Sequence, residues 1–227
     1  MTLLAGCAAV PPREPIGDRF EPFNRVSYRF DRMLDSNLIE PLAQVYSKGD
    51  PERLPGKVRK RVRNFFSNLR GPIDITNNFL QAKFKRGFSG VGRMLVNSTV
   101  GLGGLFDPAS RWGMPQYQED FGQTFATWGI PHGPYIYVPV FGPRSVRDLF
   151  GLALDLRLSP IIQYDDHSTR NSLFVVGVID RRTDGFLLEY FRPLEDHSYE
   201  DDRDEYVNRR YGDAYYDGDA PLNIDIY

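Results

Sequence analysis

The chain has 227 residues and one cysteine, Cys7, which excludes an intramolecular disulfide and any cysteine-based metal cluster. Its histidines, His132, His167 and His197, stand far apart and show no metal-ligand spacing. No apolar run reaches the ~18 residues that a bilayer-crossing helix needs, so membrane contact would have to come from an anchor and from helices lying at the interface. Gly101-Leu102-Gly103-Gly104 resembles half of a dinucleotide loop, but the next required glycine is Phe106 and no βαβ unit surrounds it. Gly87-Phe88-Ser89-Gly90 is followed by Val91, not by the glycine of a nucleophile elbow. Glu119-Asp120 opens a helical pattern and reads as a cap before it reads as an acid-base pair. No catalytic constellation emerges, and the reading is of a protein that is not an enzyme and carries no metal or other cofactor.

What the chain does have is aromatic side chains, 16 Phe, 13 Tyr and 2 Trp. They suit either an aromatic core or a boundary that is apolar on one side and wet on the other. Charge is divided. Residues 195–227 carry a net −8 and residues 1–194 a net +6. The acidic part is rich in tyrosine and lacks period, which predicts a disordered tail over 195–227.

Leu4-Ala5-Gly6-Cys7 resembles a bacterial lipobox, in which cleavage precedes an acylated cysteine. Residues 1–6 then read as the stunted end of a signal peptide, and residues 7–20, with Pro11, Pro12 and Pro15, as a lipidated, semi-extended tether. Ala8 stands where aspartate would resemble an inner-membrane retention signal, so the expected address is the outer membrane. A body over 21–194 remains.

Within the body the period is helical. Pro22 suits a first turn, and Phe23, Val26, Phe30 and Met33 form an apolar stripe. Asp35-Ser36 can cap a second helix carrying Leu38, Leu42 and Val45. Lys57 to Leu69 is the clearest amphipathic segment, with Val58, Val62, Phe65 and Phe66 on one face and Lys57, Lys60 and Arg61 among the cations on the rest. It fits an ordinary solvated face or a helix lying on anionic headgroups; the acidic tail and the export signal argue against nucleic acid. Gly71-Pro72 is expected to end it. A further helix spans about 83–96, where Gly87, Gly90 and Gly92 permit close packing. Ser145 caps another helix that stops at Pro160, and 170–191 is read as mainly helix, although the β-branched run over 173–179 also fits a buried strand.

Between them lies Asn97 to Pro143, apolar, aromatic and without period. It holds Gly101, Gly103 and Gly104, a block with Phe121, Phe125 and Trp128 at i, i+4 and i+7, and a patch over 135–141 bracketed by Gly and Pro. A structureless loop of this length is not expected in a compact domain, so it reads as short elements with sharp turns and as the place where function sits. Gly101, Gly103, Gly104, Pro139, Phe141, Gly142 and Pro143 are candidate hinge or channel positions, although the glycines equally suit simple tight turns. Lys57, Lys60, Arg61, Phe65, Phe66, Phe125 and Trp128 are candidate membrane-interface positions.

Several motifs together carry a family resemblance. These are Phe23-Asn24-Arg25 with Tyr28 and Phe30; Asn97 through Asp107; Glu119-Asp120-Phe121-Gly122-Gln123-Thr124; Trp128-Gly129 with Gly133-Pro134-Tyr135; and Pro139 through Arg147-Asp148. In order and spacing, over roughly residues 20–192, they are similar to the VacJ/MlaA family of outer-membrane lipoproteins. The resemblance implies an all-α body of amphipathic helices forming a ring around a channel in the membrane plane, with irregular Gly/Pro-rich connections. It implies a protein lipid-anchored through Cys7 on the periplasmic side of a Gram-negative outer membrane. Phospholipid would be its cargo, and its partners a porin trimer and a soluble periplasmic lipid carrier. Such a protein removes mislocalised phospholipid from the outer leaflet and maintains lipid asymmetry. A lipoprotein that braces porins without transport, and a phospholipid-modifying enzyme, are the alternative readings.

Overall fold

A computed structural model describes residues 17–48, 56–183 and 198–215. Cys7 and the tether before residue 17 lie outside them. The architecture is mostly helical, as expected, with one short hairpin. In order it comprises α1 (Glu21–Leu34), a π-helical turn (Asp35–Ile39), α2 (Glu40–Lys48), α3 (Gly56–Leu80), α4 (Phe84–Thr99), α5 (Pro108–Arg111), α6 (Phe121–Thr127), β1 (Tyr135–Val138), β2 (Gly142–Ser145), α7 (Val146–Leu158), α8 (His167–Thr183) and α9 (Tyr199–Tyr215).

Several local expectations are met by named contacts. Pro22 lies in the first turn of α1. The Ser145 hydroxyl accepts from the Asp148 N–H and caps α7. Asp120 and Gln123 form a reciprocal capping box that starts α6. The α3–α4 pair packs through small residues. A Cβ on Gly87 would fall 2.8 Å from the Phe79 ring, and one on Gly90 would fall 2.9 Å from the Ile75 side chain.

Four expectations need correction. Asp35-Ser36 does not begin a separate helix; a π-helical turn carries α1 into α2. Gly71-Pro72 does not end α3, which runs through Pro72 to Leu80. Proline removes one backbone donor and crowds the preceding turn, but beyond it α3 is held by its packing on α4. The apolar patch after Tyr135 forms an antiparallel hairpin, with Tyr135 opposite Ser145 and Val138 opposite Gly142. The stretch expected to be disordered contains α9. Its Tyr199, Tyr206 and Val207 join Tyr135 and Tyr137 in the hydrophobic core. Low hydropathy misleads here because α9 is fixed by tyrosine rings and by buried ion pairs. The remainder of 195–227 lies outside the described residues.

The hairpin is bound to α1 along its length. Asn24 donates to the Tyr135 carbonyl at 3.3 Å and accepts from the Tyr137 N–H at 2.8 Å. Asp31 accepts from the Val140 N–H at 2.7 Å. Asn24 thus satisfies groups on the open edge of β1, and Asp31 satisfies a backbone donor of the turn that follows it. Tyr28 packs edge-on to Tyr137 and Tyr199, with ring centroids 5.5 and 5.6 Å apart.

Candidate functional site

The molecule inverts the usual distribution of polarity. Among the described residues, buried polar and charged side chains outnumber buried apolar ones. The apolar stripe predicted on α1 and α2 is real but faces outward: Phe23, Val26, Phe30, Met33, Leu42 and Val45 are all exposed. So are Phe84, Phe88 and Leu95 on α4, together with Trp112, Trp128 and Phe150. Single exposed apolar residues are ordinary, whereas extended apolar surface marks an interaction with another apolar phase. No described helix is long and apolar enough to cross a membrane.

The interior consists of linked ion pairs and amides. Glu119 accepts from Gln81 at 2.9 Å and from Lys83 at 2.6 Å, and Thr124 donates to Asn77 at 2.7 Å. Arg210 of α9 donates to both oxygens of Asp120, at 2.8 and 2.9 Å, and to Asp148 at 2.8 Å. The Tyr206 hydroxyl also donates to Asp148. Burial alone would raise the Asp148 carboxyl, but the Arg210 and Arg147 guanidinium groups overcome it and hold the group well below the usual carboxylate range. Burial, with the Asp120 charge beside it, pushes Asp155 up to about 7. Burial pushes Asp74 up to about 6 against the opposing pull of Arg70. The motif residues Asn24, Glu119, Asp120 and Asp148 therefore build the frame. Sequence reasoning missed Tyr206 and Arg210, which lie in the segment it assigned to disorder; an arginine and a tyrosine four residues apart were the available signal. Among the described residues no group of three or more His, Cys, Asp or Glu could hold a metal ion.

The two candidate turns are set down against helices. After α4 the chain reverses through Gly101 to Gly104, with the Gly103 N–H on the Ser98 carbonyl and the Gly104 N–H on the Asn97 carbonyl. Gly104 has φ +92°, and a Cβ there would lie 2.5 Å from that of Asn68 on α3. The turn then feeds Asp107, which caps α5 and pairs with Arg93 at 2.6 Å. The second turn is the hairpin tip. Val140 has φ +71° and Gly142 φ +76°, Pro143 is buried, and the Phe141 ring lies 6.4 Å from Phe174 of α8.

Between α3, the glycine turn and α8 lies a mostly apolar groove of about 370 Å³, lined by Val62, Phe65, Phe66, Leu105, Leu173 and Val176, with Ser168, Thr169 and Ser172 at its edge. Phe65 and Phe66, an edge-to-face pair with centroids 5.6 Å apart, are half-buried and face this groove. Lys57, Lys60 and Arg61 are exposed, and the Arg61 guanidinium sits 5.0 Å from the Phe106 ring centre. The structure thus brings the basic end of α3, its aromatic pair and the glycine turn to one place. Phe125 and Trp128 are elsewhere. They form a ladder with Phe121 on α6, with ring separations of 6.1 and 5.9 Å, and the exposed Trp128 indole donates to the Leu80 carbonyl at 3.1 Å.

Comparison with known proteins agrees with this arrangement. The family described as MlaA lipoprotein matches residues 16–212. A Rickettsia felis protein is 32% identical over 193 residues, spanning 84% of this chain and 72% of that protein. The intermembrane phospholipid transport system lipoprotein MlaA of Escherichia coli K12 is 32% identical over 153 residues, spanning 65% of this chain and 59% of the relative. A solved structure described as the structural basis for maintenance of bacterial outer membrane lipid asymmetry superposes with a TM-score of 0.72 at 29% identity, over 87% of this chain and 99% of that one. The chain belongs to the MlaA lipoprotein family.

Proposed function

We propose that this chain is an outer-membrane lipoprotein of a Gram-negative bacterium that withdraws mislocalised phospholipid from the outer leaflet and passes it to a soluble periplasmic carrier. The observation that carries this reading is the inverted polarity: an apolar exterior around a charged, hydrogen-bonded interior. Such a body is stable when its rim of Phe, Val, Met and Trp meets acyl chains. Its frame can then enclose a path for a polar headgroup.

The physical need is clear. Moving a two-chain lipid of ~30 methylenes through water costs on the order of 25 kcal/mol at ~0.8 kcal/mol per CH₂. A shielded passage in a ring of in-plane helices avoids most of that cost and requires no chemistry. In this reading an acyl group on Cys7 supplies the anchor, and a porin trimer provides a rigid membrane-spanning neighbour. The Pro139, Phe141, Gly142 and Pro143 segment adjusts the opening. Gly104, set against Asn68 of α3, and Gly101, closed in by Asn97 and Phe106, favour a wall over a hinge, while Gly103 faces open space.

The test is direct. Full-length protein extracted from membranes should carry phospholipid by mass spectrometry, and should pass fluorescent phospholipid from vesicles to the periplasmic carrier. Cleaved lipid products would favour the enzyme reading, and complete absence of bound lipid the bracing reading.

A further inference from the structure

The groove between α3 and α8 has a chemical polarity of its own. Lys57, Arg61 and Phe65 are spaced by four residues and so share one stripe of α3. The stripe runs from two exposed cations into an aromatic ring that lines the groove. Among the described residues no salt bridge engages Lys57, Lys60 or Arg61. Arg61 is steered toward the groove by its contact with Phe106, adjacent to the lining residue Leu105. The other wall mixes charges, with two carboxylates just before its hydroxyls and Arg170 just after them. Its hydroxyl-bearing end, Ser168 and Thr169, follows directly on exposed Asp165 and Asp166, and Asp166 accepts from the Thr169 N–H at 2.7 Å. An anion at this groove belongs at the α3 end.

The volume, about 370 Å³, lies at the lower end of the roughly 300–1,000 Å³ range of small-molecule sites. That suits a single apolar chain and is too small for a whole two-chain lipid.

We propose that this groove selects anionic phospholipid, holding one acyl chain between Phe65, Phe66 and Val176 while the phosphate and its negatively charged headgroup meet Arg61, with Lys57 and Lys60 reinforcing the charge. The inference rests on the lipid-conduit reading and adds to it a cargo preference and the residues that set it. A zwitterionic headgroup would place its ammonium among three cations, whereas phosphatidylglycerol places only negative charge and hydroxyls there.

The experiment offers purified full-length protein vesicles containing equal phosphatidylethanolamine and phosphatidylglycerol, re-isolates it, and measures the bound lipids by mass spectrometry. The wild type should be enriched in phosphatidylglycerol by about fivefold for each cation engaged. In the Lys57→Gln, Lys60→Gln, Arg61→Gln variant the ratio should fall to that of the vesicles, with bound phosphatidylethanolamine showing that lipid is still taken up. Val176→Trp fills the groove and leaves the cations in place, and should remove the enrichment as well. An even ratio in the wild type, or an enrichment that survives loss of the cations, overturns the proposal. Enrichment that survives Val176→Trp also overturns it, assigning the cations to the vesicle surface. No bound phospholipid in the wild type overturns the conduit reading itself, and this inference with it.

Discussion

Arg210 forms a two-pronged ion pair with Asp120, at 2.8 and 2.9 Å, across 90 positions of sequence. The pair ties α9 to the N-terminus of α6, and the same guanidinium reaches Asp148 in the first turn of α7. Replacing Arg210 with Met leaves the buried Asp148 and the part-buried Asp120 without their main counter-charge. The expected loss is about 3–5 kcal/mol, measured by urea unfolding in detergent. A double-mutant cycle with Asp120→Asn should reveal coupling of about 0.5–3 kcal/mol. Additive effects would mean that α9 is not anchored this way.

The glycine turn separates two causes of strain. Gly104→Ala meets both a positive φ and the Asn68 side chain, whereas Gly103→Ala meets only its φ of +71°, with open space around it. Gly103→Ala should cost about 1–2 kcal/mol from backbone conformation alone, and Gly104→Ala clearly more. Thermal unfolding of the two variants checks the order.

The helices that a local signal marks were legible in the sequence. Pro22, Ser145 and the Asp120–Gln123 box act within a few residues of themselves, and the apolar stripes of α1 and α3 need only their period. Features set by distant partners were not legible. Pro72 stays inside α3 because α4 packs alongside it. The run Tyr135-Ile136-Tyr137-Val138 shows no polar alternation, so its strand character depends on its pairing with Gly142–Ser145 and on Asn24 of α1. α9 is held by Asp120, Asp148 and the tyrosine cluster, all encoded far upstream. For the site, the glycine turn and the Lys57–Phe66 face stand out by composition and period, but the groove joining them needed α8. The direction of the α1 stripe was not readable either, since period alone does not say whether an apolar face meets protein or lipid.

The buried carboxylates predict an unusual pH profile. Asp155 at about 7 and Asp74 at about 6 lie above their unfolded values, so the folded state binds these protons more tightly. Their contribution is complete below pH ~4 and is lost as pH rises through about 6 to 7. Asp148 and Asp120 are held below their ordinary values; their contribution is present above pH ~4 and is lost on further acidification. Stability should therefore be greatest on the acid side of neutrality and decline toward pH 8 by a few kcal/mol, since each tenfold difference in proton affinity between folded and unfolded chain is worth ~1.4 kcal/mol. Asp155→Asn should flatten the decline. A profile that instead rises from pH 5 to 8 would contradict the account.

The hairpin tip is the mobile element proposed for the passage. Cysteines at positions 141 and 174, where Phe141 meets Phe174, can be joined by a short cross-linker. The joined protein should bind lipid but fail to pass it to the carrier, and cleaving the linker should restore transfer. Unchanged transfer with the tip locked would remove it as a moving part.

The central claim is that the apolar exterior faces acyl chains, and the chain contains its own reporters. Its two tryptophans, Trp112 and Trp128, are both more than half exposed. Full-length protein reconstituted into vesicles whose lipids carry bromine on the acyl chains should lose most of its tryptophan fluorescence, while a water-soluble quencher has little effect. Fluorescence that ignores the brominated chains and is extinguished from the aqueous phase would contradict the account.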